Sequence, residues 1–340
     1  MKKRMMALFL GAVLLTMTAC GSSAPAASSE APAAEASAEE ASTEASSEET
    51  FQVGICQLVQ HDALDAASQG FQDALKEEFG DAVQIDLQNA QGEASTCATI
   101  VNGFVSNEYD IIMANATPAL QAAVAATTDI PILGTSITDY ATALNLENFS
   151  GTTGINVSGT SDLAPLDKQE DMILELVPDV QKVAILYCSA EANSKFQADT
   201  IEGYLEEDGI AFEEYTFADS NDLQSVVNAA VADCDAMYIP TDNTVASNMT
   251  IVANVTGPAG IPVICGEENM MLGGGLATLS ISYYDIGFET GKQAIEILKN
   301  GAEVSELPIA YAAEPVKKIN KANAEEIGFE IPEDYEVVEP

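Results

Sequence analysis

Residues 110–121, DIIMANATPALQ, and residues 235–246, DAMYIPTDNTVA, are two versions of one pattern. Each begins with an apolar run typical of a buried strand and then passes, through a segment containing threonine, into a helix-like stretch. Each is followed by another apolar run that opens with Ile-Pro, at 130–134 and at 261–266. A strand, a helix and a second strand form the unit of a parallel sheet, so two similar α/β lobes are predicted.

The same alternation of apolar runs and amphipathic stretches extends along the chain from residue 51. Further strand-like runs lie at 52–59, 83–87 and 183–187, and helix-like patterns lie at 64–75 and 169–176. We therefore expect the α/β fold class, with parallel sheets. Ligands of such sheets bind beyond the carboxyl ends of the strands, so a cleft between the two lobes is the expected site.

The first 20 residues form a leader. Lys2, Lys3 and Arg4 precede an apolar run at 5–15, which is too short to span a membrane, and Met17-Thr18-Ala19 precede Cys20. Small residues directly before a cysteine predict a lipoprotein signal at 1–20, although an ordinary secretory signal is the alternative. The mature chain would then begin at a lipidated Cys20, carrying palmitate or a similar acyl chain, on the extracytoplasmic face of the cell membrane.

Residues 21–50 are predicted to be a disordered acidic tether, because they contain no aromatic and no branched aliphatic residue. Removing the three basic leader residues and no acidic ones changes the formal net charge from −42 to −45. So acidic a chain excludes nucleic acid as a partner. Since Arg4 is the only arginine, the mature chain also has no guanidinium with which to clamp a phosphate.

Cysteine and histidine usage argues against a metal site and against catalysis. The five cysteines after Cys20 form no CxxC pair and favour buried free thiols, although a disulfide is the alternative. His61 is the only histidine, so neither a zinc site nor an imidazole-activated hydroxyl is supported. The chain lacks GxSxG, HExxH and phosphate-loop motifs. No cofactor, no metal and no enzymatic activity are therefore expected.

Polar side chains collect where the predicted strands end, and these are the candidate ligand-binding residues. An alternative for each is a helix cap or a turn, which Ser, Thr, Asn and Asp favour at such positions. The candidates are Gln60, His61, Asn89, Gln91, Thr117, Ser136, Asp139, Ser189, Asn193, Ser194, Asp242, Asn243, Thr244 and Glu267.

Several stretches together resemble one family, and the resemblance extends over nearly all of residues 53–332. They include VGICQLVQHDALDAASQGFQDAL at 53–75, IDLQNAQGEAS at 85–95, PTDNTVAS at 240–247 and SYYDIGFETGKQAIEILKNG at 282–301. The chain resembles the extracytoplasmic substrate-binding lipoproteins of ABC transporters, in the branch that includes tryptophan and tyrosine binders.

The resemblance implies the periplasmic-binding-protein type I fold, with two Rossmann-like lobes joined by a hinge. The first lobe would comprise 51–160 plus 283–308, and the second 161–282 plus 309–340. The implied function is capture of a small ligand in the cleft and its delivery to an ABC permease and its ATPase. A sugar or nucleoside ligand, or a sensor role in place of transport, is the alternative.

An aromatic amino acid is the ligand that the resemblance implies. Without arginine, its carboxylate would be held by hydroxyls, amides and helix N-termini, for which Thr117, Asn193 and Ser194 are suited. Its ammonium needs a buried acidic acceptor, and Asp242 is the first candidate, with Glu267 second.

An aromatic side chain of the ligand also needs an apolar or aromatic wall. His61, Leu64, Tyr283 and Tyr284 are the candidates for it. For the two tyrosines, packing at the hinge is the alternative.

Overall fold

The computed structural model describes residues 50–339. The predicted leader, the lipidated Cys20 and the tether up to residue 49 lie outside the described residues. Within 50–339, no helix combines the length and the apolar character needed to cross a membrane.

Strands and helices alternate along the chain. In chain order the strands are β1 (Phe51–Gln57), β2 (Val83–Asn89), β3 (Ile111–Asn115), β4 (Ile132–Ile137), β5 (Val157–Ser161), β6 (Lys182–Cys188), β7 (Ala211–Phe217), β8 (Ala236–Ile239), β9 (Val263–Cys265), β10 (Ala277–Ser280), β11 (Ala310–Tyr311), β12 (Val316–Asn320) and β13 (Glu336–Val338). The helices are α1 (Asp62–Phe79), α2 (Ala94–Ser106), α3 (Thr117–Ala126), α4 (Tyr140–Leu144), α5 (Leu166–Leu176), α6 (Ala192–Glu207), α7 (Ser220–Val231), α8 (Asn243–Ala246), α9 (Met249–Ala259), α10 (Glu268–Leu272), α11 (Tyr283–Asn300) and α12 (Lys321–Ile327).

The strands form two separate sheets. The first has the order β11-β5-β4-β3-β1-β2, and all of its neighbours are parallel. The second has the order β13-β12-β10-β9-β8-β6-β7, in which only the β10–β12 pair is antiparallel. The prediction of an α/β fold with two parallel sheets is confirmed.

The two halves of the repeated pattern occupy equivalent places in the two sheets. In the first sheet β3 pairs with β4, so that Ile112 lies opposite Ile132. In the second sheet β8 pairs with β9, so that Met237 lies opposite Val263. Every residue of these four strands is buried, because helices cover both faces of each sheet.

The chain passes between the sheets three times. It leaves the first sheet after β5, returns after β10 to α11 and β11, and joins the second sheet again at β12. The lobe boundaries given above stay a prediction, and the sheets differ from them at two passages. Ser161 belongs to β5 of the first sheet, although the predicted boundary is at residue 160. Ala310 and Tyr311 pair with Thr160 and Ser161 of the first sheet, although the predicted boundary ends the first lobe at residue 308.

Helix α11 packs against α1 because glycines let the two backbones approach closely. A Cβ atom on Gly287 would lie 2.0 Å from the carbonyl oxygen of Ala67, and one on Gly70 would lie 2.1 Å from that of Tyr284. The glycine of the YYDIG stretch therefore fixes α11 beside the helix that follows β1. The contact between α1 and α11 therefore holds α11, which follows the return of the chain from the second sheet, against the first lobe.

Candidate functional site

A buried cavity lies where the carboxyl ends of both sheets face each other. Its lining comes from the segments after β1, β4 and β5 of the first sheet and after β8 and β9 of the second, together with the starts of α6 and α11. The lining residues are His61, Leu64, Ser136, Thr138, Asp162, Asn193, Thr241, Asp242, Asn243, Ala246, Glu267 and Tyr283. The cavity among them has a volume of about 10 Å³. The cavity as it stands has room for roughly one water.

Hydrogen bonds between the lobes close the cleft at this cavity. His61 Nε2 lies 3.2 Å from Asn243 Oδ1, and the hydroxyl oxygens of Thr138 and Thr241 lie 3.3 Å apart. Gln197 Nε2 donates to the hydroxyl of Thr138 at 3.4 Å. An amino acid can therefore enter only if these contacts separate.

Four polar atoms around the cavity are buried and have no hydrogen-bond partner in the described part of the chain. They are His61 Nδ1, Ser136 Oγ, Asp162 Oδ1 and Asn193 Oδ1. An unpaired buried polar atom costs roughly 1–3 kcal/mol, and native structures contain few of them. Four such atoms on one cavity indicate that its complement is a polar molecule.

Ser136 reaches the cavity through an unfavourable backbone conformation. Its φ is 56°, in the left-handed region that residues other than glycine seldom adopt. Strain of this kind clusters at binding sites, where the surrounding structure enforces it. Ser136 is 7% exposed, and its unpaired hydroxyl is available to a ligand.

Asp162 presents one unpaired carboxylate oxygen to the cavity. Its Oδ2 accepts a hydrogen bond of 2.8 Å from the hydroxyl of Tyr283, while its Oδ1 has no partner. Burial raises the pKa of this carboxyl, and the hydrogen bond from Tyr283 partly opposes the rise. Asp162 is therefore a carboxylate that gains from a cation at its free oxygen.

Asp242 uses both of its oxygens within its own lobe. Oδ1 accepts from the backbone N–H of Val245 at 2.8 Å and caps α8. Oδ2 accepts from the N–H of Cys188 at 2.8 Å and from the hydroxyl of Ser194 at 2.7 Å. Burial and the neighbouring Glu191 raise the pKa of Asp242 to about 8. Asp242 as the ammonium partner stays a prediction, which this geometry favours less than Asp162.

Glu267, the second candidate for the ammonium, also caps a helix. Its Oε2 accepts from the N–H of Asn269 and its Oε1 from that of Met270, both at 2.6 Å, at the start of α10. Burial raises the pKa of Glu267 to about 7 against these two bonds. Both oxygens of Glu267 are therefore already in use at the start of α10.

Glu191, which the sequence-based set does not contain, organises the segment after β8. One oxygen accepts from the backbone N–H and the side-chain amide of Asn243, at 3.0 and 2.6 Å. The other accepts from the N–H and the hydroxyl of Thr244, both at 2.8 Å. This carboxylate is 4% exposed and holds Asn243 and Thr244 in place.

The predicted site residues divide into two groups. Those that line the cavity are His61, Ser136, Asn193, Asp242, Asn243 and Glu267. Those that do not are Gln60, Asn89, Gln91, Thr117, Asp139, Ser189, Ser194 and Thr244.

Several residues of the second group have local roles. Asn89 accepts from the N–H of Gln91 in a turn, Asp139 caps α4 through the N–H of Thr142, and the exposed Ser189 donates to the carbonyl of Phe217. These are the turn and cap roles that the sequence left as the alternative.

The other members of that group lie close to the cavity. Gln91 and Thr244 line a neighbouring cleft between the lobes, and Gln60 lines a groove beside His61. Ser194 supports Asp242, and the hydroxyl of Thr117 is buried without a partner at the start of α3.

Sequence reasoning missed Thr138, Asp162 and Ala246. A signal for Asp162 is present, because an acidic residue directly follows the buried strand β5. That segment resembles a crossing between lobes, which does not by itself predict a ligand contact. Of the two candidate tyrosines, Tyr283 lines the cavity, whereas Tyr284 is 39% exposed and donates to Asp73 outside it.

Known proteins of similar sequence and structure bear on what the cavity holds. The chain is 37% identical over 272 residues to a tyrosine-binding protein of Clostridioides difficile (strain R20291), and 79% of this chain and 78% of that protein are covered. It is similar to the solved ABC domain in complex with L-Trp from Streptococcus pneumonia, at 34% identity and a TM-score of 0.81, covering 85% of this chain and 99% of that one. The ligand-free, open structure of a substrate-binding protein with adhesive properties from Clostridium difficile has 36% identity, the same coverage and a TM-score of 0.65.

The lobes of this chain are in the closed arrangement. Identity and coverage are nearly equal for the two solved structures, yet the L-Trp complex superposes better than the open, ligand-free structure. Lobes that pivot about a hinge change the overall superposition without changing either lobe. The hydrogen bonds of His61 and Thr138 across the cleft agree with closure.

A family model described as ABC transporter substrate binding protein matches residues 52–338. The match spans both sheets and the cavity between them. The family consists of solute-binding proteins and not of enzymes, in agreement with the expectation from the sequence, and its members act outside the cytoplasm. The chain belongs to the ABC transporter substrate-binding protein family and has its periplasmic-binding-protein type I fold.

Proposed function

We propose that this protein captures a free aromatic amino acid in the buried cavity and delivers it to an ABC permease and its ATPase. The observation that carries the proposal is the set of four unpaired polar atoms on one closed cavity. An amino acid has an ammonium, a carboxylate and a side chain that can supply partners to such a set. The names of the similar proteins, a tyrosine-binding protein and a complex with L-Trp, support an aromatic side chain.

The carboxyl groups of the cavity favour a cationic group on the ligand, because an ammonium beside them stabilises their charged forms. Asp162, Asp242 and Glu267 line it, and among its lining residues none is Lys or Arg. The ammonium would donate to Asp162 Oδ1 and to Asn193 Oδ1, which are both unpaired acceptors. Asp162 directly follows β5 of the first sheet, whereas Asn193 lies at the start of α6, which follows β6 of the second sheet, so the ammonium would bridge the cleft and stabilise closure.

The carboxylate of the ligand would be held by neutral donors. Ser136 supplies an unpaired hydroxyl, and the hydroxyls of Thr138 and Thr241 meet across the cleft and would be freed when a ligand separates them. Hydroxyls can donate to a carboxylate without bringing a second charge into the cavity.

Three residues of the cavity lining offer apolar surface to an aromatic ring. They are Leu64, Ala246 and Tyr283. Burial of an aromatic side chain against such groups is favourable and dominates binding energy in pockets of this kind.

A lipid anchor at Cys20 would keep the protein beside its permease. The leader and the small residues before Cys20 support it. We expect metabolic labelling with a fatty acid to mark the wild-type protein, and the Cys20→Ser variant to lose the label. Label retained in that variant would place the lipid elsewhere.

A thermal-shift screen of the purified protein tests the function. Amino acids, sugars and nucleosides are screened, because a ligand that binds only the folded state raises the melting temperature. We expect a selective rise with tryptophan, tyrosine or both. A rise only with a sugar or a nucleoside would contradict the amino-acid proposal and leave the family assignment intact.

A further inference from the structure

His61 joins the two lobes through one ring nitrogen and leaves the other unpaired. Nε2 lies 3.2 Å from Asn243 Oδ1, while Nδ1 is buried without a partner beside the cavity. A neutral imidazole has one N–H donor and one acceptor nitrogen. Which nitrogen carries the hydrogen therefore decides what Nδ1 offers to a ligand.

Glu191 decides this by fixing the amide of Asn243. Glu191 Oε2 lies 2.6 Å from Asn243 Nδ2 and 3.0 Å from the backbone N–H of the same residue. A carboxylate only accepts hydrogen bonds, so the NH₂ group of Asn243 must face Glu191 and its carbonyl oxygen must face His61. That oxygen is also only an acceptor, so His61 Nε2 must be the nitrogen that donates.

The remaining nitrogen of His61 is then an acceptor. Burial lowers the pKa of the ring, despite the bond to Asn243 and the nearby acidic residues Glu191, Asp65 and Asp62, which favour the charged form. The neutral ring with hydrogen on Nε2 leaves a lone pair on Nδ1.

Two aliphatic residues of the cavity lining lie close in the chain to the His61–Asn243 pair. Leu64 is the third residue of α1, for which His61 is the N-cap, and Ala246 follows Asn243 by three residues on α8. All four residues line the cavity. A ligand ring packed on Leu64 and Ala246 would therefore lie beside His61, while Asp162 and Asn193 would accept from the ligand's ammonium.

Building on the function proposed above, we propose that His61 determines specificity: its Nδ1 accepts a hydrogen bond from an O–H or N–H group on the aromatic ring of the ligand. Glu191 and Asn243 are positioning residues that set the tautomer. Tyrosine and tryptophan carry such a donor, and phenylalanine does not. A ring without a donor leaves Nδ1 buried and unpaired, which weakens binding roughly tenfold to 100-fold.

Calorimetric titration with matched ligands tests the selection. The pairs are tyrosine with phenylalanine, and tryptophan with 3-benzothienylalanine, in which sulfur replaces the ring N–H. We expect the wild-type protein to prefer the donor-bearing member of the better-binding pair by tenfold or more. His61→Leu should reduce that ratio to below threefold, and Glu191→Gln should reduce it partly, because a glutamine amide lets Asn243 turn over. Ser220→Ala, in the neighbouring cleft, is the control that keeps the ratio.

The tautomer can be measured directly because His61 is the only histidine. Protein labelled with ¹⁵N-histidine and purified without a histidine tag gives two ring-nitrogen signals in a proton–nitrogen correlation spectrum. We expect Nε2 to be protonated and Nδ1 unprotonated, with the Nδ1 signal moving when the donor-bearing ligand binds. Hydrogen on Nδ1 in the complex, or an imidazolium there, would overturn the inference.

Failure of the inference and failure of the proposed function give different results. If the wild type and His61→Leu bind amino acids with the same preference for a ring donor, selection by His61 is refuted and the proposed function still stands. If the wild-type protein binds no amino acid, the proposed function is refuted, and the inference that His61 selects a ring donor is refuted as well.

Discussion

Asp162→Asn should weaken amino-acid binding more than any other single exchange of an acidic residue in the cavity. The substitution keeps the shape of the side chain and removes its charge. In the proposed complex Asp162 Oδ1 is the buried acceptor of the ligand's ammonium, with no other partner in the described chain. Removing one member of a buried charge pair costs roughly 2–5 kcal/mol. The dissociation constant should therefore rise by roughly 30-fold to 4,000-fold.

Asp242→Asn is the matched control, because both oxygens of Asp242 already accept hydrogen bonds within the second lobe. In this variant the amide oxygen can still cap α8, but the NH₂ group in place of Oδ2 cannot accept from the backbone N–H of Cys188, so the melting temperature of the ligand-free protein should fall. Its loss of affinity should be smaller than that of Asp162→Asn. Isothermal titration calorimetry with the amino acid found by the screen measures both affinities, and circular dichroism checks that both variants fold.

The two variants separate the alternatives for the ammonium. If Asp162→Asn binds within threefold of the wild type, Asp162 does not hold the ammonium. If Asp242→Asn then binds more weakly than Asp162→Asn, Asp242 is the partner of the ammonium, as the sequence predicts. The unpaired oxygen of Asp162 would then not identify that partner.

Two further predictions concern stability. Gly159→Ala should destabilise the fold by about 3 kcal/mol or more in a urea titration, because the φ of Gly159 is +136° and a Cβ atom there would lie 1.9 Å from the carbonyl oxygen of Gly134. The control is Gly203→Ala, on an open face of α6, which should be neutral or stabilising in the same titration. The free energy of unfolding should fall as pH rises between 4.5 and about 7, because buried Glu267 keeps its proton there while the unfolded chain has lost it. At about 1.4 kcal/mol per pH unit, Glu267 accounts for about 3 kcal/mol of this fall. Urea titrations at pH 5 and pH 8 measure it, and a Glu267→Gln variant with an unchanged pH dependence would exclude Glu267 as the cause.

The sequence allows the architecture to be predicted because the architecture depends on local periodicity. Apolar runs at 110–114 and 235–239 become the buried strands β3 and β8, and the Ile-Pro runs become their parallel neighbours. The position of the cleft follows from the direction of the strands. Six of the predicted polar residues reach it for this reason, and others of the set are used as caps and turns, which the same residue types also favour.

The chemical state of the site could not be predicted from the sequence, because partners distant in the chain determine it. Asp162 has one free oxygen because the hydroxyl of Tyr283, 121 residues away, occupies the other. Asp242 has none because Cys188 and Ser194, more than 40 residues away, occupy one of its oxygens and its own helix occupies the other. By residue type alone, Asp162 and Asp242 are equally suited to bind a ligand. Only the folded chain distinguishes a carboxylate that is available from one that is already in use.

His61 shows that closure and selection are one event in the mechanism proposed for this protein. His61 belongs to the first lobe, whereas Asn243 and Glu191 belong to the second, so their hydrogen-bond chain exists only when the lobes meet. Separating the lobes would break the bond between His61 and Asn243 and expose the ring, so that neither tautomer would be fixed. Closing the cleft buries the ring and fixes hydrogen on Nε2. A ligand with a ring donor therefore gains its hydrogen bond only in the closed state, and this differential affinity is what shifts the protein toward closure.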